Sequence, residues 1–235
     1  MDAHPRSDSS PLRCPHRSAT GSSLAAELRE RTREAHHRAE HHPLQQRIVR
    51  GEVDSRSYAI FTAALRRVHE RLERELDLAA AIDSRIAAVF AEHHRRLDHF
   101  DSDLSQLGHA VEPLPEAVAA AAEVPAWLCG AACPRRGSVP AVAWLGVLYV
   151  LEGSSNGGQV IARVLRRAWK WPEGSLRSLD PHAGETRARW MQFRERLDGQ
   201  PFDEREREAI VASASGTFEG ISAVMDAVEA TPASA

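Results

Sequence analysis

Apolar positions recur along this chain at steps of three and four, the period of a helix with one face turned inward. From Leu24 to about His42 the stripe is Leu24, Leu28, Arg31/Thr32 and Ala35/His36. Gly51 and Asp54-Ser55 mark a loop and a new helix start, after which Tyr58, Phe61, Leu65, Val68, Leu72 and Leu76 predict a long amphipathic helix. A third stripe follows through Ile82, Ile86, Val89/Phe90, His93, Leu97, Phe100, Leu104 and Leu107. Pro113 and Pro115 break the pattern, and the alanine-rich 116–133 predicts a shorter, less regular helix. Pro140 sits where a first-turn proline is tolerated, and an apolar helix runs on through Trp144, Leu145, Leu148 and Tyr149. It recovers as Val160, Ile161, Val164, Leu165 and Ala168, ending near Trp171-Pro172. His182 to Leu197 reads as a basic helix, and Asp203 to Glu206 has the form of a capping box opening the last one, striped by Ile210, Ala214, Thr217/Phe218, Ile221, Met225 and Val228. No segment alternates with period two, so the pattern predicts an all-α fold of about seven or eight helices without repeats.

The interruption in the middle of LYVLEGSSNGGQVI, Leu148 to Ile161, needs a reason. Each glycine inside a helix costs roughly 1 kcal/mol relative to alanine, and Gly153, Gly157 and Gly158 fall close together. Bare backbone there serves a kink, a tight helix crossing, or a flat ligand that any Cβ would hold off.

Composition narrows the field. With 235 residues, 43% of them hydrophobic, the chain suits one buried core, taken as a domain over 23–229 between a polar tail at 1–22 and a short tail at 230–235. The formal charge of -3 arises from interspersed charges and offers no field for nucleic acid. Cys14, Cys129 and Cys133 are an odd number at spacings unsuited to a disulfide framework or a zinc site, so a reducing cytoplasm is expected. No run reaches the length of a membrane span, and no membrane or secretory segment is expected. His4 and His16 lie in the tail, where metal binding is the weaker reading.

Histidines cluster at His36-His37 with His41-His42 and at His93-His94 with His99. His37 and His41 stand one turn apart on a polar helix, a solvated surface first and a metal pair second. His36 differs because it falls on the apolar stripe with Leu28 and Thr32. Arg33 precedes it by three residues and Arg29 by seven, so the cations project near the same line. Solvated helix charge partnered by Glu30 and Glu34 is the plain reading. An imidazole beside two guanidinium groups would also suit haem, whose iron takes an axial histidine and whose propionates pair with arginine.

At these residues the sequence resembles the haem oxygenase family. LRERTREAHHRAE, Leu28 to Glu40, is similar to the family's proximal helix, with His36 at the position of the iron ligand, and GEVDSRSYAIF continues the likeness. GSSNGGQV, Gly153 to Val160, resembles the glycine-rich distal helix, and YVLEGSS, beginning at Tyr149, is similar to bacterial members associated with bacteriophytochromes. RWMQFRERL places Arg194 where the family has a propionate-pairing arginine. The resemblance covers roughly 24–228 and implies haem sandwiched between a proximal helix and a glycine-kinked distal helix, as substrate and cofactor together. The implied reaction consumes O2 and electrons from an external ferredoxin, flavodoxin or flavoprotein reductase. It releases biliverdin, carbon monoxide and ferrous iron, with a bacteriophytochrome as an acceptor of the biliverdin. Haem-contacting residues would be Arg29, Arg33, His36, Tyr149, Gly153, Gly157, Gly158 and Arg194. Ser154, Ser155 and Asn156 are the distal candidates for the chemistry, or else residues that cap or bend the helix. Ser154 stands where many members carry a water-ordering aspartate, and Asn156 where an apolar residue is usual, so proton delivery would need a different arrangement of water.

Two other activities fit parts of this pattern. A haem carrier or sensor would share His36, Arg29 and Arg33 without consuming the ligand. A non-haem di-metal oxidase on the same architecture would need several carboxylates and repeated Glu-x-x-His pairs, of which Glu34/His37 is the one found. A thiaminase-like enzyme would need a pocket cysteine, and Cys129 and Cys133 lie in no such motif.

Overall fold

The computed structural model describes residues 23–109, 111–128 and 139–232; Cys14, Cys129, Cys133, His4 and His16 fall outside them. The described residues are all-α, in eleven helices joined by short turns. There are more helices than the pattern suggests because two predicted long ones are divided, 43–50 forms a helix of its own, and the alanine-rich segment forms two short helices.

The first division is at Thr32. α1 (Leu24–Arg31) opens with Ser23 accepting from the Ala26 N–H at 3.1 Å, and it closes where the Thr32 hydroxyl donates to the Leu28 carbonyl at 2.7 Å. α2 (Arg33–Glu40) continues beyond, and α3 (Pro43–Arg50) begins on His42 and ends on Gly51 in the left-handed conformation. α4 (Ser55–Ala80) is the long predicted helix, capped by Asp54 accepting from the Ser57 N–H at 2.8 Å.

The predicted third helix is divided too: α5 (Ser84–Val89), a 3-10 turn at Glu92–His94, and α6 (Leu97–Leu107). Two backbone N–H groups there go to side chains, Ala91 to His94 Nδ1 at 2.9 Å and Arg96 to Glu73 at 2.8 Å, which ends the helical ladder. Ile82, placed on the apolar stripe by spacing, is 83% exposed. α7 (Glu116–Ala121) and α8 (Val124–Trp127) are the described part of the alanine-rich segment. α9 (Trp144–Trp169) carries the glycines and runs without a break in assignment. α10 (Thr186–Asp198) is shorter than the predicted basic helix, and α11 (Glu204–Glu229) starts on the expected Asp203/Glu206 capping box.

α11 is the spine. It packs along α9 and also against α2, α4, α7 and α8, whereas α2 leans on α11 rather than on α9. The close approach of α9 and α11 depends on Gly146, where a Cβ would run into the Ile210 carbonyl and the Ser213 hydroxyl. Every residue from Trp144 to Glu152 is buried, so this half of α9 is held by apolar contact worth roughly 1.5–3 kcal/mol for each large side chain.

Candidate functional site

Beyond Glu152 the surroundings of α9 change. Ser154, Gly157 and Val160, one turn apart, are exposed in the middle of a helix whose preceding half is fully covered. α2 and α9 both pack on α11, and this face of α9 is left uncovered. On the α2 side is His36, its side chain 53% exposed and its ring edge-on to Phe218 of α11, with centroids 5.2 Å apart. The apolar stripe suggested a more covered position; Leu28 and Thr32 are buried there and His36 is not. Its Nε2 stands 3.5 Å from a Glu40 oxygen, and no hydrogen bond engages the ring among the described residues.

The three glycines of the motif differ in surroundings. A Cβ on Gly157 would meet nothing within 4 Å. One on Gly153 would touch the Trp190 indole, its nearest atom at 3.3 Å. At Gly158 it would be driven into the Leu179 carbonyl, so the close approach that Gly158 permits is that of the 175–179 loop. That loop is clamped by fully buried Asp103, whose carboxylate accepts the Arg177 and Ser178 N–H groups at 2.9 and 2.8 Å.

Two arginines lie near Tyr149. Burial pushes the Tyr149 phenol above its ordinary pKa against the opposing pull of Arg194 and Arg29, which places both cations near this ring. Arg33 faces Glu30 at 3.2 Å on the surface, the solvated pairing anticipated for it. Among the described residues neither Arg29 nor Arg194 has an ion-pair or hydrogen-bond partner.

The distal hydroxyl and amide groups turn largely to their own helix. Ser154 donates to the Leu151 carbonyl at 2.7 Å and Asn156 to the Gly153 carbonyl at 3.0 Å. Ser155 faces inward, where its hydroxyl accepts from Arg96 at 2.7 Å. Ser154 also lines a cavity of about 60 Å³ bounded by Tyr58, Thr62, His69, Arg96 and Leu179. Among the described residues buried Arg96 Nε and His69 Nδ1 have no hydrogen-bond partner, the latter lying 3.8 Å from a Glu73 oxygen, and a space of this size admits water.

Beneath the motif lies a buried charge lattice that sequence spacing did not reveal. Glu152 accepts from Arg96 at 2.6 Å and pairs with His182 Nε2 at 2.8 Å. Burial would raise its pKa, but the His182 hydrogen bond and the Arg96 charge outweigh that and hold it down to about 2. His94, edge-on to Phe193, is pushed down to about 3 by burial and is therefore a neutral imidazole. The available signal was a single carboxylate inside the otherwise apolar Tyr149–Leu151 run and glycine stretch. A lone charge there needs a buried partner, but the partners come from distant segments. Trp190 was equally unmarked.

Metal-holding geometry is absent elsewhere: no group of three His, Cys, Asp or Glu comes together among the described residues. Glu34 is paired with Arg38 at 2.8 Å, and His37 stacks on His41 with ring centroids 4.0 Å apart, so the Glu34/His37 pair builds no di-metal site. No helix of the described residues is long and apolar enough to cross a membrane.

A family profile described as heme oxygenase matches residues 22–227. The heme oxygenase of Xanthomonas campestris pv. campestris is 29% identical over 176 residues, covering 74% of this chain and 92% of that protein. Among solved structures, heme oxygenase from Leptospira interrogans superposes with a TM-score of 0.72 at 22% identity, over 86% of this chain and 98% of that one. Heme oxygenase-1 from Synechocystis sp. PCC6803, solved in complex with heme, gives 0.73 at 19% identity, over 87% and 91%.

Proposed function

The chain belongs to the haem oxygenase family of haem-degrading oxidoreductases, and from that premise we propose that it converts haem to biliverdin, carbon monoxide and ferrous iron with His36 as the axial ligand. The observation that carries the reading is Gly157: the glycine is exposed in the middle of α9, and nothing fills the space a Cβ would take. The donor set fits the ligand. Among the described residues the His36 ring has only the Glu40 carboxylate at 3.5 Å beside it, and Arg29 and Arg194 are cations without a carboxylate partner, which two propionates would complement. Arg33 would contribute after releasing Glu30.

Bound haem supplies the iron that activates O2 and is itself the carbon framework that is opened. The chain's part is to hold and to exclude. Gly157 leaves the backbone bare, Gly153 admits the Trp190 indole beside it, and the buried run Trp144–Glu152 fixes the helix that presents them. The Ser154 hydroxyl donates its hydrogen bond to the Leu151 carbonyl, so toward the adjoining cavity it acts as an acceptor that orients water rather than as an acid. Ser155 acts from within, accepting from Arg96 and so tying the distal helix to the 95–97 segment. Electrons come from an external ferredoxin, flavodoxin or flavoprotein reductase. A cytoplasmic setting with a bacteriophytochrome as biliverdin acceptor completes the proposal.

The test is an absorption time course. Protein with one equivalent of hemin is given a reductant and catalase under air; the haem band is expected to form and then decay into a biliverdin spectrum with ferrous iron released. A band that forms and persists would mean a carrier or sensor. A His36→Ala variant with an unchanged haem spectrum would reject the ligand assignment, while His37→Ala is expected to resemble the parent.

A further inference from the structure

We infer that Trp190 is a positioning residue: its indole forms the wall that sets the rotation in which a macrocycle seats between α2 and α9. This rests on the proposed haem-binding reading and adds to it the residue that selects which edge of the ring is attacked.

The wall is a consequence of three contacts. The indole edge lies where a Gly153 side chain would be, with atoms at 3.3, 3.6 and 3.7 Å from that position. Its ring stacks on Phe193, with centroids 5.6 Å apart and planes 16° from parallel, and tilts against Tyr149 at 5.2 Å. Phe193 is 1% exposed and Tyr149 8%, so the two rings that hold Trp190 are themselves fixed by the core. Trp190 itself stays partly exposed. Gly153 thus brings the indole edge close to α9, while Gly157, one turn on, faces space.

Trp190 and Arg194 are four residues apart on α10 and share a face of that helix. A porphyrin is nearly square in outline and is distinguished mainly by its two propionates. Cations at Arg194 and Arg29 fix where that edge goes, but a flat ring can still pivot about it or turn over. A rigid aromatic wall next to the cations removes seatings whose substituents would strike it, at a cost comparable to overpacking a core. The side chain therefore acts on orientation rather than on affinity.

The test uses the full chain with Trp190→Ala and Trp190→Phe. Hemin affinity is read by absorbance titration, seating by the haem methyl proton resonances of the ferric cyanide complex, and product by chromatographic separation of biliverdin isomers. The expected result is hemin affinity within about threefold of the parent. For Trp190→Ala a second set of methyl resonances and a second biliverdin isomer are expected, with Trp190→Phe between the two. Unchanged resonances and a single unchanged isomer in Trp190→Ala would overturn the assignment. Loss of hemin binding in Trp190→Phe would overturn it in favour of a purely structural role. A parent protein that does not bind hemin would overturn the functional reading and this inference together.

Discussion

Gly157 and Gly158 are adjacent on α9, share the same helical backbone, and are expected to respond oppositely to the same substitution. Alanine gains about 1 kcal/mol of helix propensity over glycine at either position. At Gly157 the added methyl meets nothing within 4 Å, so the whole gain is expected to appear as stability. At Gly158 the methyl would be 3.1 Å from the Leu179 carbonyl carbon and nearer still to its oxygen. That loop cannot yield cheaply, because its Arg177 and Ser178 N–H groups are pinned by buried Asp103 and Arg166 holds the Ser175 carbonyl at 2.8 Å. Overpacking against fixed backbone costs about 1–3 kcal/mol, and the clamped loop argues for the upper end. Net destabilisation of about 2 kcal/mol at Gly158 against a gain of about 1 at Gly157 separates the variants by about 3 kcal/mol, more than a hundredfold in the folding equilibrium. Urea unfolding followed by circular dichroism reads the difference directly. Midpoints moving the same way by the same amount would refute the claim that these glycines serve different neighbours. Gly157→Leu extends the test to function: a folded protein with much weaker hemin binding is expected, and parental affinity would mean that this face does not meet the ligand.

Replacing both Arg29 and Arg194 with alanine should weaken hemin binding about tenfold, since the pairs are partly solvated, with Arg33→Ala showing less because Arg33 already faces Glu30; equal affinities in titration would remove the propionate assignment. Arg96→Met leaves Glu152 buried with His182 as its remaining hydrogen-bond partner among the described residues and is expected to cost about 3–5 kcal/mol in urea unfolding, whereas a loss under about 1 would show that the lattice carries little. Acid should destabilise the fold in two stages. His94, held neutral with its pKa near 3, takes up its proton in the unfolded chain first, so its contribution falls from about pH 6.5 downward, by about 1.4 kcal/mol per unit. Glu152, held at about 2, contributes fully above its ordinary value near 4.5 and loses that stability as pH falls from there toward 2. His94→Gln should flatten the first slope in unfolding free energy measured across that range, and an unchanged slope would assign it to other groups.

Periodicity made the helices legible because each buries one face, and the stripes of α4 and α11 and the first half of α9 are recovered, whereas Val160 and Ala168 of the predicted α9 stripe are exposed. It misjudged Ile82 and the 82–107 segment because the signal there is shared by three short elements whose ends are fixed by contacts to Glu73 and His94. His36, Arg29, Arg194 and the glycines could be picked out from residue type and spacing; in the fold the helices that carry His36 and the glycines both pack on α11.

Local chemistry along the chain was enough to establish the all-α architecture, the capping box at Asp203, and the presence of a glycine-bearing helix and of a histidine-bearing one. These follow from interactions within a few residues of each other. What each glycine accommodates was decided only by the fold, since Leu179, Trp190 and open space come to Gly158, Gly153 and Gly157 from segments without a fixed offset in sequence. The same holds for Glu152, whose partners Arg96 and His182 lie 56 and 30 residues away. A buried carboxylate reports that a partner must exist; only three-dimensional packing determines which one.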